Sequence, residues 1–248
     1  GLIGAATKTW WLWMWIFYAG FQLLMTVLYP LVIAPLFNKF EPLDDPLITG
    51  GVMSLMDKAG LKAKGVYRVD ALKRSRHSNA YFTGLGRSRR IVLFDSLLSS
   101  HTPDEILAVL AHEIGHWKKG HIRLQLCGVL LISLAVLYGA YLLIGWPVLY
   151  ASFGIPHQAP YVGLLLLGFL MQPVVFFLSP LGGMISRAFE RQADDFARAL
   201  TGQSDPLIRA LKRLSTDNLS NLHPHPLYAW FYYTHPPLVE RIERLRRA

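Results

Sequence analysis

Charge is missing from two long stretches of this 248-residue chain: no Asp, Glu, Lys or Arg occurs in residues 9–38 or in residues 124–186. Charged residues make up only 17% of the whole, against about 25% in a typical soluble domain. A membrane-spanning helix needs about 20 apolar residues. The first stretch therefore holds one span, and the second holds two spans and a turn. Runs of this length without a charge argue against ordinary buried helices of a soluble protein. Residues 10–34 lack a small-residue cleavage site and continue into more apolar sequence, which excludes a signal peptide. The chain starts at Gly1 rather than Met, which reads as a processed chain or as part of a longer one.

Cysteine is nearly absent. Cys127 is the single one, which excludes an internal disulfide. It lies in an expected span, where an apolar setting raises a thiol pKa and argues against thiol catalysis. Acidic residues are also sparse, at 16 against 25 Lys and Arg, giving a net charge of +9. Such basicity first suggests nucleic acid, but its distribution does not. Residues 37–123 carry 14 of the basic side chains and residues 187–248 carry 10, while residues 146–160 carry none. The positive-inside rule then places both charged regions on the cytoplasmic side and the short connection on the far side. Membrane lipid, not nucleic acid, is the partner this pattern implies.

Along the chain, span 1 covers roughly residues 10–34, opened by Trp10, Trp11, Trp13 and Trp15, which fit an interfacial aromatic belt. Residues 46–60 read as a short helix ended by Gly60, and residues 65–70 as a strand. Residues 78–94 read as a β-hairpin around a turn at Gly84–Ser88. A helix then begins clearly. Thr102 is an N-cap, Pro103 suits the first turn, and Glu105 completes a capping box. Spans 2 and 3 follow at roughly residues 123–146 and 160–182, the last running on into residues 183–200. The tail reads as an amphipathic helix at 206–215, a Pro- and His-rich loop at 222–237 and a basic helix at 238–247. His77 and His101 read as solvated loop residues.

The chemistry sits in His112-Glu113-Ile114-Gly115-His116. Residues four apart share a helix face, so both imidazoles can reach one zinc ion. Glu113 falls on the neighbouring side, where it can act as a base toward water at the metal. A catalytic zinc needs a third protein ligand and an open position. Glu190 follows a span as His116 precedes one, so antiparallel spans would bring it beside the motif helix. Asp194, one turn on, could then accept a hydrogen bond from a ligating histidine. The alternative is a salt-bridged helix face with Arg187, Arg191 and Arg198. His121, five residues beyond His116, falls off the shared face and reads as an interfacial residue at the start of span 2.

The runs HEIGHWKKGH (112–121), FERQADDFA (189–197), NAYFTGLGRSRRIVLFDSLL (79–98), IAPLFNKFEPL (33–43) and THPPLVERI (234–242) resemble the integral-membrane CAAX prenyl endopeptidases, a zinc metallopeptidase family. The resemblance covers nearly the whole chain. It implies that Glu190 is the third zinc ligand and that Asp194 supports the histidine ligands. It implies that the hairpin receives substrate as an added strand, with Asn79 binding a substrate carbonyl, and that His235 stabilises the oxyanion. Family members carry about seven spans around a chamber; three are counted here, as in a piece of a longer protein or a shortened form.

The fold expected is a mainly α integral-membrane protein, with three transmembrane helices and a cytoplasmic zincin-like α+β catalytic domain bearing a β-hairpin. Residues 1–36 form the first span, 37–122 the hairpin and motif helix, 123–186 spans 2 and 3, and 187–248 the third ligand and the His-Pro-Pro loop. The function expected is zinc-dependent peptide hydrolysis with one zinc per chain. His112, His116 and Glu190 are the ligands, Glu113, His235 and Asp194 the catalytic residues, and Asn79 and Ala80 the substrate contacts. Substrates are peptides or proteins, with a prenylated C-terminus as the family case. Two alternatives stand: a general quality-control protease of the related HtpX type, and a non-catalytic membrane scaffold that retains the motif.

Overall fold

The computed structural model describes residues 8–70, 80–83, 90–217, 219 and 221–247. The first helix, α1 (Trp10–Leu28), passes through a π-helical turn at Tyr29–Ile33 into α2 (Ala34–Phe37). Strand β1 (Phe40–Pro42), helix α3 (Pro46–Lys58) and strands β2 (Gly65–Val69), β3 (Ala80–Thr83) and β4 (Arg90–Phe94) follow. Helices α4 (Asp95–Ser100), α5 (Pro103–Lys118), α6 (His121–Ile144), α7 (Pro147–Ala151) and α8 (Pro160–Thr201) come next. Helices α9 (Asp205–Asp217), α10 (Pro226–Tyr232) and α11 (Leu238–Arg247) complete the chain.

Among the described residues, three helical segments are long and apolar enough to cross a membrane: Trp10–Phe37, His121–Ile144 and Pro160–Thr201. The last has 42 residues, about 63 Å at 1.5 Å per residue. That is about twice the ~30 Å hydrocarbon core, so one continuous helix has length both to span and to carry residues beyond the membrane. The outward faces bear large apolar side chains such as Phe17, Leu131 and Phe177, the kind of surface that lipid covers.

The chain divides into two compact units. One comprises residues 1–26 and 122–179. Its buried cluster is Trp10, Ile144, Leu149, Tyr150 and Leu167. Trp15 Nε1 donates to the carbonyl of Leu130 at 2.9 Å, tying α1 to α6. The tryptophans read as an aromatic belt in fact divide. Trp10 is a core residue at 4% exposure, whereas Trp13 points outward at 54%.

The second unit comprises residues 27–121 and 180–248. Its sheet has the order β1-β2-β4-β3, with β2 parallel to β4 and the other pairs antiparallel. The expected hairpin is thus present as β3 and β4, with Ala80 opposite Leu93; its turn lies outside the described residues. Strand β1 was not anticipated, since three residues ending in Pro42 carry no alternation to read. Helix α5 is central, packing against β3, α3 and α9. It is nucleated as its sequence dictates: the Thr102 backbone N–H donates to Glu105 Oε2 at 3.0 Å, the reciprocal half of a capping box. Ile106, Leu110, Ala111 and Ile114 then fill the core.

Two expectations for this unit fail away from the candidate site. Residues 222–237, read as loop, contain α10, which starts where His225 accepts from the Leu227 N–H and Pro226 takes the first turn. His101, read as solvated, is 7% exposed, with Nδ1 2.7 Å from Ser100 Oγ.

Candidate active site

Helix α5 presents His112 and His116 one turn apart, and α8 brings Glu190 to them. The gap between their Nε2 atoms is 3.1 Å. Glu190 Oε2 lies 3.5 Å from His112 Nε2, and Glu190 Oε1 lies 3.3 Å from His116 Nε2. One donor atom from each residue thus lies within 4.8 Å of the others. Two imidazole nitrogens and a carboxylate oxygen converging on one point fit a catalytic zinc, which takes three protein ligands and keeps one position open.

The close approach of the two helices depends on Gly115. A Cβ there would lie 3.0 Å from Ala193 Cα and 3.1 Å from Ala193 O. Both contacts are with backbone, which cannot swing aside. Gly115→Val is therefore expected to push α8 away from α5, costing about 1–3 kcal/mol by overpacking. Because Ala193 lies between Glu190 and Asp194, the variant should also lose metal affinity, as a chelator competition would read. Unchanged affinity would show that the crossing does not set the donor geometry.

Behind the donors stands a buried ionic array. Asp194 Oδ1 lies 2.8 Å from His112 Nδ1. Arg241, on α11, grips the same carboxylate with two bonds, Nε to Oδ2 at 2.9 Å and an Nη to Oδ1 at 2.6 Å. Its other Nη is 3.4 Å from Glu190 Oε2. Exposure is 1% for Asp194, 6% for Glu190 and 9% for Arg241, so the charges compensate one another out of water. Burial works against the Arg241 charge, but Asp194 more than restores it and raises its pKa. Burial likewise pulls His112 down, yet its bonds to Asp194 and Glu190 prevail and raise its pKa from 6.5 to about 9. Glu113 is half-buried, and desolvation raises its pKa above the usual carboxylate value.

A cleft of about 600 Å³ opens over these groups, reached by Glu113, Ala80, His235 and Arg241. Leu207, Leu211 and Leu214 of α9 supply an apolar wall. His235 is exposed, and its Nε2 lies 3.4 Å from Glu190 Oε1. Arg187 donates to the carbonyl of Tyr233, fastening the segment that leads to His235. Ala80 is the first described residue of β3, an edge strand of the sheet, and is buried at 3%. Asn79 and His77 lie outside the described residues.

The residues brought together are therefore His112, Glu113, His116, Glu190, Asp194, His235 and Ala80. The salt-bridge alternative for Glu190 and Asp194 does not hold. Arg191 pairs with Glu240 at 2.9 Å, and the arginine that pairs with both acids is Arg241, which sequence reasoning missed. A signal existed: Leu238, Arg241, Ile242 and Leu245 follow the i, i+3, i+4, i+7 apolar stripe, with one arginine in it. His121 is also corrected. It is 2% exposed and its Nδ1 lies 2.9 Å from His116 Nδ1. Reading one helical register through residue 121 misplaced it. Gly120, at φ +71°, ends α5 and redirects the chain before α6 begins.

Comparison with known proteins agrees with this architecture. Residues 42–248 match the model of Peptidase family M48, and residues 1–39 match that of the CAAX prenyl protease N-terminal region, five membrane helices. A CAAX prenyl protease 1 homolog of Oryza sativa is 39% identical over 96% of this chain and 56% of its own length. CAAX prenyl protease 1 of Saccharomyces cerevisiae is 40% identical over 90% of this chain and 53% of its own. An uncharacterized metalloprotease, YhfN, of Bacillus subtilis is 32% identical over 99% of this chain and 58% of its own. The crystal structure of S. mikatae Ste24p superposes with a TM-score of 0.89 at 36% identity, over 98% of this chain and 60% of that one. The chain thus spans a little over half the length of the relatives it matches. With the M48 model running from the end of β1 to residue 248 and a solved relative sharing the fold, this chain is an integral-membrane member of peptidase family M48.

Proposed function

We propose that the chain carries the catalytic centre of a zinc-dependent membrane endopeptidase of the CAAX prenyl protease type. The observation that carries this is the convergence of His112, His116 and Glu190 beside a half-buried carboxylate, Glu113, at the base of a cleft. Zinc, when held by those three residues, would lower the pKa of a water and polarise the scissile carbonyl.

The chain's own groups do the rest. Glu113, desolvated and therefore a stronger base than an ordinary carboxylate, takes a proton from the attacking water and later delivers it to the leaving amine nitrogen. Asp194 accepts from His112 Nδ1, which fixes the tautomer and aims Nε2 at the donor cluster. Arg241 keeps Asp194 ionised. His235 donates to the carbonyl oxygen as it gains charge. The substrate backbone pairs with β3 from Ala80 onward, by the strand addition that outer strands permit, and Asn79, which precedes the described part of that strand in sequence, is kept as the substrate-carbonyl contact that the family resemblance implies. The positive-inside distribution supports a cytoplasmic catalytic side.

The relatives named CAAX prenyl protease support a substrate with a prenylated C-terminus. The similar metalloprotease of Bacillus subtilis carries no prenyl substrate in its name, and general proteolysis of membrane proteins is kept as the second reading. A single assay separates them. The purified chain in detergent should cleave an unstructured peptide, lose that activity to a chelator and regain it with zinc. Faster cleavage of the prenylated form supports CAAX processing, and equal rates support general proteolysis. Failure to cleave either form with zinc bound would overturn the proposal for this chain.

A further inference from the structure

His121 is buried, close to a metal-donor histidine, and has no role in the mechanism above. Its ring lies flat on Phe189, at 4.1 Å between centroids and 8° between planes. Its Nδ1 is 2.9 Å from His116 Nδ1, and its Nε2 is 3.2 Å from Gln192 Oε1. A ligating imidazole uses one nitrogen for the metal, and the partner of the other fixes tautomer and ring orientation. For His112 that partner is Asp194. For His116 it is another histidine.

The directions of these bonds follow from donor counting, taking His116 as a ligand as proposed above. His116 Nε2 faces Glu190 and His112, so this nitrogen takes the metal and the proton sits on Nδ1. His116 Nδ1–H then donates to His121 Nδ1. Since a neutral imidazole carries one proton, that of His121 sits on Nε2 and donates to Gln192 Oε1. Every link has one donor and one acceptor. The opposite tautomer of His121 would set two N–H groups against each other at one end and two lone pairs at the other. Gly120 turns the chain into this position, Phe189 holds the ring plane, and α8 carries both Phe189 and Gln192 beside Glu190.

We infer that His121 is a positioning residue for His116, backed by Gln192, so that the two histidine donors are oriented by unlike partners. His112 is held by an ionised aspartate paired with an arginine, and His116 by a neutral imidazole and amide.

The test is zinc affinity of the full chain in detergent, measured by competition with a chelating dye. His121→Phe keeps the stacked ring and loses both nitrogens. It should bind zinc about 10–100-fold more weakly, the usual cost of losing such an outer hydrogen bond. His121→Asn offers an acceptor oxygen near the lost Nδ1 and should recover most of the affinity. Gln192 is exposed, so Gln192→Leu spares the fold; it should weaken binding by a smaller factor. Cobalt-loaded His121→Phe should also show a shifted d–d absorption spectrum, with cobalt-loaded His121→Asn close to the parent. Parental affinity in His121→Phe, or equal loss in the Phe and Asn variants, would overturn the inference and leave His121 a packing residue. A parent chain that binds no zinc would instead overturn the metal site itself.

Discussion

Glu113→Gln is expected to leave zinc bound and to lower kcat by about 10²–10⁴, the usual contribution of a positioned general base. Glutamine matches glutamate in shape and can still hydrogen-bond to water, but it cannot take a proton. Glu113 shares α5 with His112 and His116 yet stands apart from their converging nitrogens and Glu190. The loss should therefore fall on the chemical step and leave KM nearly unchanged. Single-turnover cleavage with metal analysis on the same sample reads both quantities. Loss of zinc together with activity would make Glu113 a ligand and require a different base.

Arg241→Met is expected to destabilise the chain by about 3–5 kcal/mol, the cost of removing one partner from a buried ionic array. Methionine replaces much of the side-chain bulk, so a cavity contributes little. What remains is Asp194 and Glu190, both buried and facing a hole where the guanidinium was. Arg241→Lys restores the charge but not the two-pronged grip on Asp194, and should recover only part of the stability. The loss should be larger in chelator-treated protein than in zinc-loaded protein, because the metal also compensates Glu190. Thermal unfolding in detergent with and without chelator reads this. An unchanged transition in Arg241→Met would mean that the array does not stabilise the fold.

How legible the chain was depended on whether the signal was local. Helix α5 could be read because its start is written within Thr102–Glu105 and its face within one helical period. The spans could be read because a soluble fold rarely keeps 30 and 63 consecutive residues free of charge, whereas a bilayer demands it. Glu190 and Asp194 could be placed because they follow a span on one helix face. The rest depended on tertiary geometry. His121 was misread because its bond to His116 exists only through the left-handed turn at Gly120. Arg241 was missed because its partners lie 47 and 51 residues away on α8. Gly115 carries no signal of its own within the motif, and its reason is the backbone of Ala193 across the helix crossing. The α10 helix was hidden by Pro and His composition, although His225 and Pro226 are helix-start signals.

The most direct test of the central claim is the metal itself. Chain purified in detergent should hold one zinc, with X-ray absorption showing only nitrogen and oxygen neighbours. His116→Ala and Glu190→Ala should each strip that zinc at a chelator concentration the parent withstands. A parent chain without zinc, or one whose zinc survives both substitutions, would contradict the account.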